Sequence, residues 1–156
     1  MADNNGLIAL VPAAYSGHLN VIKYFVEQCK VDPETSMKNG WIALMSAARG
    51  GHLDVVKYFV EDCKVDPNTP DNDEEIALMS AAYRNHLNVV KYFVEDCNVD
   101  PKTPRVDGWI AMMSASEGGH LNVIKYFVED CNGDPKTPNN EGLNSINIAK
   151  DEKIHQ

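Results

Sequence analysis

Histidine, cysteine and carboxylate are the side chains best suited to bind a metal or move a proton, and in this chain they recur at a fixed interval. His18, His52, His86 and His120 lie 34 residues apart, and so do Cys29, Cys63, Cys97 and Cys131. A zinc site, a disulfide and a Ser/His/Asp triad are the chemistries such residues suggest, and the spacing speaks against each. No C-x2-C pair offers two thiolates to one zinc ion. If consecutive copies stack at helix-packing distance, equivalent atoms sit ~8–10 Å apart. That exceeds the ~7 Å Cα limit of a disulfide and keeps two imidazoles from sharing a metal through bonds of ~2 Å. A triad repeated identically in each copy would amount to four active sites, and no glycine-rich phosphate loop is present. The thiols are therefore expected to form a buried column of small apolar groups. The imidazoles, at the start of a helix, are expected to hydrogen-bond loop backbone. No cofactor, no metal and no enzymatic activity are expected. Reduced thiols suit a cytoplasmic or nuclear compartment and not a secreted protein.

The elements that carry these residues follow from the same interval. Lys-Tyr-Phe-Val-Glu runs begin at Lys23, Lys57, Lys91 and Lys125, which defines four blocks at 6–39, 40–73, 74–107 and 108–141 and a partial block at 142–156. The second and fourth blocks are identical at 24 of 34 positions. Such a period marks an array whose units stack to bury a shared apolar face. Each block holds two short helical patterns. The first, at residues 42–48 in the second block, is rich in small residues that let helices approach closely. The second spans 53–63: Leu53, Val55, Val56, Phe59, Val60 and Cys63 form one stripe, and Asp54, Lys57, Glu61 and Asp62 the other. Lys57 and Glu61 stand at i,i+4 in the weaker orientation and read as a solvated outer face.

Between the helices, one turn position is Gly17, Gly51, Asn85 and Gly119. Three glycines and an asparagine indicate a left-handed backbone. After the second helix, Pro67 and Pro70 end helical structure, and Asn39-Gly40 and Asp107-Gly108 are typical of tight hairpins. The unit reads helix, tight turn, helix, hairpin-like loop. In the first block, a helix starting near Ile8 would keep Pro12 in its first turn, where no intrahelical donor is needed.

The run Ala47-Ala48-Arg49-Gly50-Gly51-His52-Leu53-Asp54-Val55-Val56 resembles the A-A-x-x-G-H-L-x-x-V signature of ankyrin repeats, and the resemblance recurs four times. It implies an all-α solenoid of stacked helix–turn–helix units with hairpin loops, and a single ankyrin-repeat domain over residues 1–156. Three departures stand out. The family's Thr-Pro-Leu-His is here Ile42-Ala43-Leu44-Met45, which puts apolar packing where a Thr–His hydrogen-bond network is usual. The segment Cys63-Lys64-Val65-Asp66 is one residue longer than the family's, which accounts for a period of 34. It lacks the family's glycine, so Lys30, Lys64, Asn98 and Asn132 are expected in a left-handed cap. Glu74 stands where Gly40 and Gly108 stand, so that hairpin is either reshaped or strained by about 1 kcal/mol. After Glu141, a fifth first-helix is expected to cover the last interface, followed by a polar tail.

The resemblance also implies a function. In ankyrin proteins, hairpin tips and first helices line a concave groove that grips protein partners. The columns that vary between blocks fall there: Lys38, Asn39, Trp41, Asn72, Asp73, Glu75, Val106, Asp107 and Trp109 in the hairpins, and Tyr15, Arg49, Tyr83, Arg84 and Glu117 at the first-helix ends. Trp, Tyr and Arg are enriched among interface hot spots. With 156 residues, 44% apolar, 24% charged and a net charge of −9, the composition excludes a disordered acidic tail. That charge disfavours nucleic acid and suits a partner with a basic or mixed surface. No apolar run reaches the ~18 residues of a membrane span, and the opening MADNNGLIAL lacks a basic leader region. A monomer is expected. The competing reading is a structural spacer, a fragment of a longer array or an idealised engineered array without its own partner.

Overall fold

The computed structural model describes the backbone of residues 4–154 and the side chains of residues 9–150. Among these residues there are helices and no strand. Backbone proximity groups the chain into two compact units, one ending at Ala77 and the other starting at Leu78. The first holds α1 (Asn4–Ser16), α2 (Leu19–Lys23), α3 (Ala43–Gly50) and α4 (Leu53–Lys57). The second holds α5 (Ala77–Tyr83, from its second residue), α6 (Leu87–Lys91), α7 (Ala111–Gly118), α8 (Leu121–Lys125) and α9 (Ser145–Ile154). α1 packs on α3 in the first unit and α7 on α9 in the second. The small residues favour this: Ala14, Ala47, Ala48 and Ala115 are 0% exposed, and their short side chains let first helices approach closely.

Each second helix departs from the expected α-helix through Cys63. After Lys57 it widens into a π-helical turn, Tyr58–Asp62, and the same happens at Tyr24–Gln28, Tyr92–Asp96 and Tyr126–Asp130. The Cys63 N–H donates to the Tyr58 carbonyl at 3.1 Å and that of Val65 to Phe59 at 2.9 Å. A π turn encloses one residue more than an α turn. The turn closes with Lys30, Lys64, Asn98 and Asn132 at φ 59°, 60°, 56° and 58°, the left-handed cap predicted for them.

The turn between helices also matches its prediction. Gly51 sits at φ 76°; its N–H donates to the Ala48 carbonyl at 3.1 Å, and that of His52 to Ala47 at 3.0 Å. This paired closure is the Schellman motif, and Asn85 (φ 66°) forms it where the others use glycine. Pro12 is a correction: α1 begins at Asn4, so the proline lies well inside it. Its ring is exposed, and it removes one intrahelical donor from α1. The fifth first-helix exists as α9, which runs through Ile154; the last two residues of the polar tail lie outside the described residues.

Candidate functional site

The histidine column binds blocks together. In the first unit His52 Nε2 lies 2.8 Å from the carbonyl oxygen of Tyr15 at the end of α1. In the second, His120 Nε2 lies 2.7 Å from the carbonyl of Tyr83 at the end of α5. The partner is a helix-end carbonyl of the preceding block and not loop backbone, which corrects the expected partner. Gly50 and Gly118 make room for it, because a Cβ there would collide with the Tyr15 or Tyr83 carbonyl.

The cysteine column is less buried than expected. All four thiols are free; Cys29 is exposed, and Cys63, Cys97 and Cys131 are half-buried. Each follows the widened turn, and Cys63 and Cys131 meet the hydroxyls of Tyr58 and Tyr126 there. Burial pushes the thiols of Cys63 and Cys131 above their ordinary range, and the hydrogen bond with Tyr58 or Tyr126 only partly offsets this. Burial, first, and then the contact with Glu27 hold the Tyr58 phenol protonated well above its usual range.

The Lys/Glu pair on the outer face also does more than solvate it. Lys23 Nζ stands 5.5 Å from the centroid of the Tyr58 ring in the next block, and the Tyr58 hydroxyl donates to Glu27 Oε1 at 3.0 Å. Lys91 holds Tyr126 at the same 5.5 Å. In the first unit one block's Lys and Glu therefore clasp the next block's tyrosine by a cation–π contact and a charge-assisted hydrogen bond; in the second the cation–π contact recurs. The repeated Lys-Tyr-Phe-Val-Glu run carried this signal, since clasp and tyrosine sit in one motif.

The hairpin residues of the first unit are brought together by lacing. Asn72 donates its backbone N–H to the Asn39 carbonyl at 2.8 Å and its side-chain amide to the Lys38 carbonyl, also at 2.8 Å. Lys38, Asn39 and Asp73 are exposed at the tips. Trp41 is half-buried, with its indole N–H donated to Ser46 Oγ at 2.6 Å. Glu75 stands half-buried at the base of its hairpin, its N–H held by Asp71 Oδ1 at 2.9 Å. Glu74 adopts φ 64° and makes the hydrogen bond of the glycine it replaces, to the Asp71 carbonyl at 3.1 Å. The hairpin is strained and not reshaped. Tyr15 (47% exposed) and half-buried Arg49 lie at the ends of α1 and α3.

In the second unit, Asn140 laces the hairpins in the same way, to the carbonyls of Val106 at 2.8 Å and Asp107 at 2.9 Å. Arg105, absent from the sequence reading, organises the tip. It grips Asp107 through Nε and a terminal nitrogen at 3.2 and 2.6 Å and lies 5.3 Å from the Trp109 centroid. The hydrogen bond from Arg105, and then that from the Trp109 N–H, hold the Asp107 carboxyl below the usual carboxylate range. Trp109 donates its indole N–H to Ser114 Oγ at 2.8 Å. Val106 projects from this scaffold 71% exposed. Tyr83 is half-buried, Arg84 is exposed 5.8 Å from the Tyr83 ring, and Glu117 is half-buried.

The family model for ankyrin repeats, in three copies, matches residues 1–71 and 63–140. The chain belongs to the ankyrin-repeat family. No curated protein matches it significantly. Ankyrin repeats are generally protein-interaction modules and are typically non-catalytic. This ankyrin chain packs apolar side chains at the first-helix start, where Ile42, Ala43, Leu44 and Met45 are at most 2% exposed. Among the described residues, no three His, Cys, Asp or Glu side chains converge on a point where a metal ion could sit. No helix among them is long and apolar enough to cross a membrane.

Proposed function

We propose that residues 1–156 act as one non-catalytic interaction domain that binds a protein partner through hairpin tips and first-helix ends, in the cytoplasm or nucleus. In the first unit the contact set is Tyr15, Lys38, Asn39, Trp41, Arg49, Asn72, Asp73 and Glu75. In the second it is Tyr83, Arg84, Val106, Asp107, Trp109 and Glu117. The observation that carries this reading is the tip at residues 105–109. A bidentate Arg–Asp pair, a stacked tryptophan and the Asn140 lace hold Val106 outward at 71% exposure. A rigid scaffold that presents an apolar side chain lowers the ordering cost of association, and a net charge of −9 suits a basic or mixed partner surface.

Trp41 and Trp109 have their indole N–H groups committed internally, so they stiffen the tips and offer ring edge to a partner. Exposed positions therefore make the cleaner test. Tyr15→Ala, Arg84→Glu and Val106→Asp combined should abolish recovery of the partner in proximity labelling while the melting curve stays as in the wild type. Equal recovery from both proteins would remove these hairpin tips and helix ends as the binding residues.

A further inference from the structure

Equivalent positions along the array differ at one place in the core of the fourth block. Val31, Val65 and Val99 follow the second helices of the first three blocks, and Gly133 stands there in the fourth. Val65 and Val99 are 2% exposed, so Gly133 lacks a side chain that two other blocks bury. A second change goes with it. Leu44 and Leu78 correspond to Met112, which is 2% exposed. The two changed positions are neighbours, because a Cβ on Gly133 would collide with Met112 Cε. The methionine thus turns its methyl toward the space that valine takes elsewhere. Beside the pair a cavity of about 170 Å³ remains. Ile110 on its wall is half-buried, where Ile42 and Ile76 are 2% and 5% exposed.

We propose that this cavity binds a small neutral compound built on a single aromatic ring. Volume sets the size: an engineered apolar cavity of about 150 Å³ takes up benzene. The wall sets the class. Ile110, Pro101 and Phe127 give it an apolar lining, from which a bound ring gains by leaving water. Phe127 offers an edge-to-face partner and Met112 a sulfur contact. The thioether chain is also flexible, so this part of the wall adapts to the occupant. Lys102 and Asp134 are the charged groups on the lining, both exposed and of opposite sign, so they favour neither an anion nor a cation. The lining shares no residue with the hairpin tips and first-helix ends proposed to hold a protein partner, so the two sites do not compete for one set of side chains.

Titration of benzene into protein carrying ¹³C at its methionine methyls tests this. The Met112 signal should shift saturably, while those of Met45 and Met79, buried in other blocks, stay in place. The melting temperature should rise with benzene concentration, because a ligand of the folded chain stabilises it. Met112→Leu combined with Gly133→Val restores the pair that the second and third blocks carry, so this variant should fold and melt no lower than the wild type. It should lose the benzene-dependent rise. Gly133→Val alone keeps the methionine probe, and its Met112 signal should no longer respond. Benzoate, the same ring with a charge, should leave the wild-type signal unmoved. A Met112 signal that stays fixed up to the solubility limit of benzene overturns the proposal. So does a double variant that keeps the full rise in melting temperature, or a response to benzoate equal to that to benzene.

Discussion

Tyr24 and Tyr58 occupy the same place in the same Lys-Tyr-Phe-Val-Glu run, yet one is 59% exposed and the other 5%. Phe25 and Phe59 differ likewise, the first half-buried and the second 0% exposed, and Cys29 is exposed where Cys63 is half-buried. Local sequence cannot account for any of this, because it is nearly constant between the two blocks. The preceding neighbour accounts for all of it. In an array the unit of stability is the interface between blocks, and among the described residues the first block meets another block on one side only.

The largest test of this contrast makes one replacement at two equivalent sites. Phe59→Ala should destabilise by about 3–5 kcal/mol, as loss of a fully buried ring does. Phe25→Ala should destabilise by clearly less, with the difference read from urea midpoints at constant slope. Equal losses would mean the edge block is covered in solution. Farther along the chain, Ser116 stands where the earlier blocks carry Ala14, Ala48 and Ala82. Its hydroxyl is buried without a hydrogen-bond partner, which predicts that Ser116→Ala stabilises by about 1–3 kcal/mol, and a lower melting temperature would show that the hydroxyl has a partner.

The converse test keeps the neighbours and changes the residue. Glu74→Gly should stabilise by about 1 kcal/mol, since the slot at φ 64° suits glycine. A fall in the denaturation midpoint would contradict the strain account. The smallest effect is on rate and not on stability. At mildly alkaline pH a thiol reagent should modify Cys29 before Cys63 and Cys131, whose thiols are half-buried and whose thiolates are disfavoured by burial. Mass spectrometry of partly labelled protein would show the order, and uniform labelling would mean the interior turns open as readily as the edge.

The repeat, the helix–turn–helix–hairpin unit and the left-handed positions were legible because each rests on local physics. Gly17, Gly51, Asn85 and Gly119 report a backbone conformation directly, and Lys64 had to take the cap once no glycine followed the helix. The π-helical turn was not legible. Lys57-Tyr58-Phe59-Val60-Glu61 suits an α-helix equally well, and the wider winding shows only in the backbone hydrogen bonds that close it, from Cys63 to Tyr58 and from Val65 to Phe59. At the site, the varied columns did not reveal what their side chains do within the fold. Asn72 and Trp41 look like contact residues in sequence and serve largely to lace and anchor hairpins. Arg105 carried no signal until Asp107 and Trp109 folded back on it.

What sequence alone determined was the unit: its period, its turns, its apolar stripe and its charge, all set within a few residues by sterics and hydropathy. Tertiary structure decided which side chains of that unit are interior, because burial depends on a neighbour lying 34 residues away in the chain. It also turned a histidine column into ties between blocks, a lysine–glutamate pair into a clasp and two aromatic hairpins into rigid tips. Those roles exist only across an interface, where one block's donor meets the acceptor of the next.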